Sequence, residues 1–144
     1  TPCGTLFPYT TLFRSLAAAG ADVPSSFRGR PLQDVLSSTA SDWPQEAFLQ
    51  ISESQVGRAI RTHKWKYSVY APDKDGWKDS ASDKYVEQFL YDLESDPHEK
   101  NNLVADAGLS DIRAELRDRL IQRMVDAGEA PPVIEPAGNL YRHK

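Results

Sequence analysis

One cysteine, Cys3, stands among 144 residues, which excludes an internal disulfide and a cysteine-rich zinc site and leaves the redox compartment open. Histidine is nearly as scarce. His63, His98 and His143 are the three, and none has the i, i+4 spacing with which a helix presents a zinc pair. No apolar run approaches the roughly 20 residues of a membrane-spanning helix, so no membrane is expected as a partner. The opening residues lack the basic stretch and apolar core of a secretory signal, and localisation stays unassigned. There is no positive excess either: 17 Lys and Arg against 21 Asp and Glu leave a net charge of -4, which argues against nucleic acid. Neither a glycine-rich phosphate loop nor a G-x-S-x-G elbow occurs. The carboxylates are scattered, and none pairs off as a general acid and base.

What remains is the composition of an ordinary globular domain, with 40% hydrophobic and 26% charged residues, enough for one core. The first fifteen residues stand apart: Phe7 to Ser15 reads as a translated sequencing-adapter scar, the alternative being a natural strand rich in Phe, Tyr and Thr, so residues 1–15 are set aside as non-native, Cys3 with them. Leu16 to Gly20 reads as a helix end, with Gly20 in the left-handed position that stops it. Phe27 to Leu32 is expected to turn into a short piece ending near Leu36, and Ser37 to Pro44 to form a polar loop.

Four strands are expected. Phe48 to Ile51 is short and apolar. Arg58 to Thr62 and Lys66 to Tyr70 flank His63-Lys64-Trp65, a hairpin-length loop. Tyr85 to Leu93 has apolar side chains on both faces, Tyr85, Phe89, Tyr91 and Leu93 on one and Val86 and Leu90 on the other, which suits an interior strand. Pro72 to Lys84 is a solvated excursion around a lone Trp77. Leu109 to Gly128 reads as a helix that Ser110 caps and Gly128 ends, with Ile112, Leu116, Leu120 and Met124 along its buried side. Arg113, Arg117, Arg119 and Arg123, among acidic neighbours, form a solvated face of mixed sign. The fold class is α+β: an antiparallel sheet of about four strands packed with a C-terminal amphipathic helix.

Asp92, Glu94 and Asp96 alternate like the start of a calcium-binding loop, but Pro97 and Leu103 occupy the positions where that loop needs Gly and Glu. A structural turn is expected instead, with Asp96 capping it, Glu99 adding charge at its N-terminal end and Leu103 anchoring it. In the segment Gln50 to Tyr67, strand alternation points Ala59, Arg61 and His63 one way. Arg61 then either faces an anion or, the reading given more weight, pairs with a carboxylate.

The run from Phe89 through Asp96-Pro97-His98-Glu99-Lys100-Asn101-Asn102 to Leu103, following the Arg58 to Tyr70 strand pair, resembles the C-terminal subdomain of the type I sulfatases of the alkaline-phosphatase-like superfamily. Ala18 to Pro24 and Gly29 to Leu32 are similar to the phrase that links the catalytic domain to that subdomain, and the resemblance covers roughly Leu16 to Pro136. It implies a linker at 16–36, the subdomain at 37–136, a polar tail at 137–144 and a missing N-terminal catalytic domain as partner. It also implies a parent that hydrolyses sulfate esters of carbohydrate or aryl type with calcium and a formylglycine made within C/S-x-P-x-R. Cys3 and Ser95 both miss that motif, so no catalytic residue, metal ligand or cofactor is expected here, and the chain alone is expected to be inactive. Ser54, Gln55, Arg61 and His63 are the residues through which, by the same resemblance, the subdomain would help shape a substrate pocket. Two alternatives stay open: a stand-alone module for acidic glycans, and a piece of a related phosphodiesterase or phosphonate hydrolase. Detached from its partner, the subdomain is expected to self-associate through the face that partner covers.

Overall fold

The computed structural model describes residues 16, 19–22, 33–37 and 43–138. The expectations for residues 1–15, for the turn at Phe27 to Leu32, for residues 38–42 of the polar loop and for the tail from 139, His143 included, lie outside the described residues. The chain divides into two units, Thr1–Pro44 and Gln45–Lys144. In the first, Gly20 takes φ +70° and the Ala21 N–H returns to the Leu16 carbonyl at 2.9 Å, the left-handed stop read from the sequence. A single turn, α1 (Gln33–Leu36), ends with Ser37 Oγ donating to the Gln33 carbonyl.

The second unit holds β1 (Glu46–Ser52), β2 (Val56–Thr62), β3 (Trp65–Tyr70), β4 (Lys84–Asp92), a 3₁₀ turn (Ala107–Leu109), α2 (Ser110–Asp126) and β5 (Val133–Glu135). The strands lie side by side in chain order, with β1 to β4 antiparallel and β5 parallel to β4. The four expected strands form. The fifth makes the sheet mixed. Its three residues follow a Pro pair and carry no alternation long enough to register, and its partner lies about fifty residues back, so its pairing is set by tertiary structure. Trp65 belongs to β3, leaving a two-residue turn, His63-Lys64, clasped by Thr62 Oγ1, which accepts the Trp65 N–H at 2.8 Å.

α2 seals one face of the sheet. Leu116, Leu120 and Met124 are buried and pack with Val56, Ile60, Tyr67, Val69, Tyr85 and Leu90; burying each such side chain is worth about 1.5–3 kcal/mol. Ile112 packs at the edge of this cluster. The expected cap at Ser110 is absent: α2 begins after the 3₁₀ turn, whose own start is capped by Asp106 accepting the Gly108 N–H at 2.8 Å. Gly128, at φ +91°, ends the helix as expected. The helix arginines are tied down more firmly than a solvated face requires. Arg119 and Arg123 both reach Glu46 on β1, and Arg113 reaches the buried Glu87 on β4.

β4 departs from strict alternation. Its register against β3 shifts between Ser68/Phe89 and Val69/Glu87, so Gln88 is the extra residue of a bulge. The bulge turns Tyr85, Glu87 and Leu90 toward the helix and leaves Phe89 and Tyr91 on the other face, splitting the Tyr85-Phe89-Tyr91 set expected to share one side. Glu87 accepts the Tyr67 hydroxyl at 3.1 Å, and burial together with that negative charge pushes the phenol well above its ordinary range.

Candidate functional site: the open face of the sheet

Opposite the helix, the sheet offers a face that no other described element of its own unit covers. Leu49 and Ile51 of β1 lie there 45% and 41% exposed. Gly57 and Ala59 of β2 and Ser68 of β3 are small, so the middle is hollow. A cavity of about 410 Å³ is lined by Leu49, Ile51, Gly57, Ala59, Ser68 and Phe89, among others. Gly57 keeps this hollow open, because a Cβ there would project into tight contacts, 3.0 Å from the Ile51 side chain and 3.3 Å from the Val69 carbonyl oxygen. On the hollow's floor, Ser68 Oγ is buried and has no hydrogen-bond partner among the described residues, a condition that costs about 1–3 kcal/mol.

Two polar clusters bound the hollow. At one end Gln55 and Gln88 exchange amide hydrogen bonds of 3.2 and 3.1 Å, so the bulge residue helps form the rim. At the other end Glu99 takes Arg61 at 3.3 Å and Lys66 at 2.5 Å, and Lys66 stands 5.9 Å from the Tyr91 ring centre. Burial, then the Glu99 charge, raises the Tyr91 hydroxyl above its ordinary value. Glu99 does this from φ +55°, which a non-glycine residue adopts only when its surroundings hold it there.

The Asp92 to Leu103 run explains that hold. Asp92 Oδ1 accepts the N–H of Glu94 at 3.0 Å, and Asp96 Oδ2 accepts that of Asn101 at 2.7 Å. Asn102 accepts from Leu90 N and Val104 N and donates to the Gln88 carbonyl, fastening the loop to the bulged part of β4. The run is thus a structural turn, with Asp96 capping and Leu103 packed on the core, as expected. The role expected of Glu99 is different: its carboxylate reaches back to the sheet to bridge two cations.

The four residues singled out by the sequence fall at two places. Ser54 is exposed in the β1–β2 turn, and Gln55 is half-buried on the rim of the hollow. Arg61 makes the carboxylate pair expected of it, and His63 is exposed in the β2–β3 turn. Eight residues of strand put Gln55 roughly 25 Å from His63, so one small ligand cannot touch both ends. Ser68, Gln88, Glu99 and the buried Arg58 were not singled out. Of these only Arg58, beside Gly57 in an apolar strand, carried a local signal. Among the described residues no group of three His, Cys, Asp or Glu is placed to hold a metal ion, and no C/S-x-P-x-R occurs in the sequence. No set of the described residues therefore fits calcium, and the sequence carries no motif in which a formylglycine would form.

This architecture defines a class: an α+β subdomain that seals one sheet face with its own helix and leaves the other available for packing. The chain belongs to the family described as N-sulphoglucosamine sulphohydrolase, C-terminal, whose model matches residues 10–126. It is 31% identical over 111 residues to the N-acetylglucosamine-6-O-sulfatase of Bacteroides thetaiotaomicron, a match covering 71% of this chain and 18% of the relative. A protein solved in complex with its substrate D-glucosamine-2-N,6-O-disulfate superposes with a TM-score of 0.67 at 25% identity, over 85% of this chain and 24% of that one. A solved 2-O GAG sulfatase shares the fold, with a TM-score of 0.62 at 23% identity over 80% of this chain and 24% of its own. The chain thus spans about a fifth to a quarter of the length of these relatives, and it is a sulfatase C-terminal subdomain.

Proposed function

We propose that this chain is the C-terminal portion of a sulfuric ester hydrolase, that its open sheet face docks on the catalytic portion, and that by itself it is inactive. The reading is supported by the open face: an apolar hollow beside the exposed Leu49 and Ile51 is the kind of surface a partner covers. The catalytic portion would supply the formylglycine and calcium, and the substrate would be a sulfate ester of a sugar. Gln55 and Ser54, at one rim of the face, are the expected residues best placed to reach a pocket at that junction.

The stand-alone glycan-binding reading is weaker because Glu99 already pairs with both cations of the face, Arg61 and Lys66, and leaves only one net positive charge there. A sulfated glycan would have to displace that carboxylate. The test is a chimaera: residues 45–138 replace the matching segment of the N-acetylglucosamine-6-O-sulfatase from Bacteroides thetaiotaomicron. Sulfate release by the chimaera, its loss on Ile51→Asp, and none from the 144-residue chain alone are expected. A cooperatively folded chimaera whose activity is indifferent to Ile51→Asp would overturn the docking assignment.

A further inference from the structure

Among the described residues of the unit Gln45–Lys144, Trp77 is the most exposed large apolar side chain, at 80%. The loop that carries it is firmly built. Asp75 Oδ1 accepts the Trp77 N–H at 3.0 Å, and Asp79 Oδ2 accepts that of Asp75 at 3.0 Å. The N–H groups of Lys78 and Asp79 both return to the Asp75 carbonyl, at 2.9 and 2.8 Å. Gly76 is wedged against the β1–β2 turn so closely that a Cβ would lie 2.5 Å from the Glu53 carbonyl oxygen and 2.8 Å from Gln55 N. The indole is therefore held out in solvent, and its ring makes no aromatic or cation–π contact among the described residues.

The surroundings decide what could cover it. A tryptophan that anchors a protein interface sits within a desolvated apolar patch. Trp77 instead has Asp73, Lys74, Asp75, Lys78, Asp79 and Ser80 as chain neighbours. An apolar ring face surrounded by hydroxyl, carboxylate and ammonium groups complements a ligand with an apolar C–H face and a polar edge. A pyranose ring has that shape.

We propose that Trp77 is a stacking platform for a neutral sugar ring of a glycan chain, with the polar side chains of its own loop to bond the sugar's hydroxyls. The choice of a sugar rests on the proposed parent activity. The site differs from the hollow and from the Arg61–Lys66 pair, and stacking requires no sulfate. The test is a titration of the ¹⁵N-labelled 144-residue chain with neutral chitotriose and with 6-O-sulfated N-acetylglucosamine, following the tryptophan indole N–H signals. The Trp77 signal should shift saturably with both sugars, with Kd on the order of 1 mM, while that of Trp65 stays still. Trp77→Phe should weaken binding several-fold and Trp77→Ala abolish it, both with unchanged melting because the side chain is exposed. A Trp77 signal that ignores both sugars, or binding that survives Trp77→Ala, overturns the proposal. The two readings fail separately: an inactive chimaera with an intact Trp77 response removes the sulfatase role and leaves the sugar site standing.

Discussion

Replacing Glu129, whose side chain is 14% exposed, with leucine should destabilise the Gln45–Lys144 unit more than a substitution at a surface acidic residue normally would. Its partner Arg58 has a side chain only 2% exposed, and Arg58 Nε donates to Glu129 Oε1 at 2.8 Å. The other guanidinium nitrogens bond the carbonyls of Gly57 and Ser80, each at 2.8 Å, and the group stands 5.8 Å from the Tyr85 ring centre. Those contacts orient the cation, and Glu129 is the only anion paired with it among the described residues. Gly128 makes the pairing possible, because its left-handed turn lets the Glu129 N–H return to the Met124 carbonyl at 3.0 Å and swings the side chain toward β2. Removing one partner of a buried pair costs about 3–5 kcal/mol, which for a unit of this size lowers Tm by roughly 15 °C or more. Arg58→Met should be similarly damaging. The double variant Arg58→Met/Glu129→Leu should recover most of the loss, since it leaves no unpaired charge. Thermal melts of the four proteins by circular dichroism, at low concentration, complete the cycle. Glu129→Leu melting within about 2 °C of the parent, a shift of well under 1 kcal/mol, would refute the assignment of Glu129 as the buried cation's partner. A double variant no better than the singles would refute the unpaired-charge mechanism.

Two further outcomes follow from named contacts. Burial works to raise the Glu46 carboxyl, but Arg119 and Arg123 outweigh it and hold it below its ordinary 4.5; its stabilising contribution is therefore whole above that pH and is lost as pH falls through the lower folded value. Between pH 7 and pH 3 the parent should lose more Tm than Glu46→Gln, and parallel pH curves would contradict the link. The open face should drive self-association of the 144-residue chain, and Ile51→Lys, at a 41% exposed position, should shift it toward monomer in sedimentation velocity without lowering Tm. A parent already monomeric at high concentration would show that this face is not adhesive.

Elements specified by local pattern are legible in the sequence itself. The fourfold spacing of Leu116, Leu120 and Met124 dictates α2, and Gly20 and Gly128 mark their own left-handed stops. β1 to β4 are legible from apolar and aromatic composition between turn residues. What escapes depends on contacts far apart in sequence. β5 exists because β4 offers an edge, and the bulge at Gln88 exists because Asn102 holds the strand there. Alternation therefore misplaces Phe89 and Tyr91 relative to Tyr85. The ion pairs escape for the same reason. Glu46 lies over seventy residues from Arg119, Glu129 as far from Arg58, and nothing near Glu99 in the sequence announces that it will bridge Arg61 and Lys66. The four candidate residues are close along the chain, and a strand's length divides them between two ends of one face.

The central claim is that the open sheet face is covered by the catalytic portion, and thiol labelling at its middle tests this most directly. In a Cys3→Ser background, Ile51→Cys reports on the face and Trp77→Cys on a loop outside it. The account predicts rapid labelling of both in the free chain, with Ile51→Cys alone slowed by at least about tenfold in the chimaera, as expected for a site whose exposed state is a minor population. Equal labelling of Ile51→Cys in chain and chimaera would contradict it.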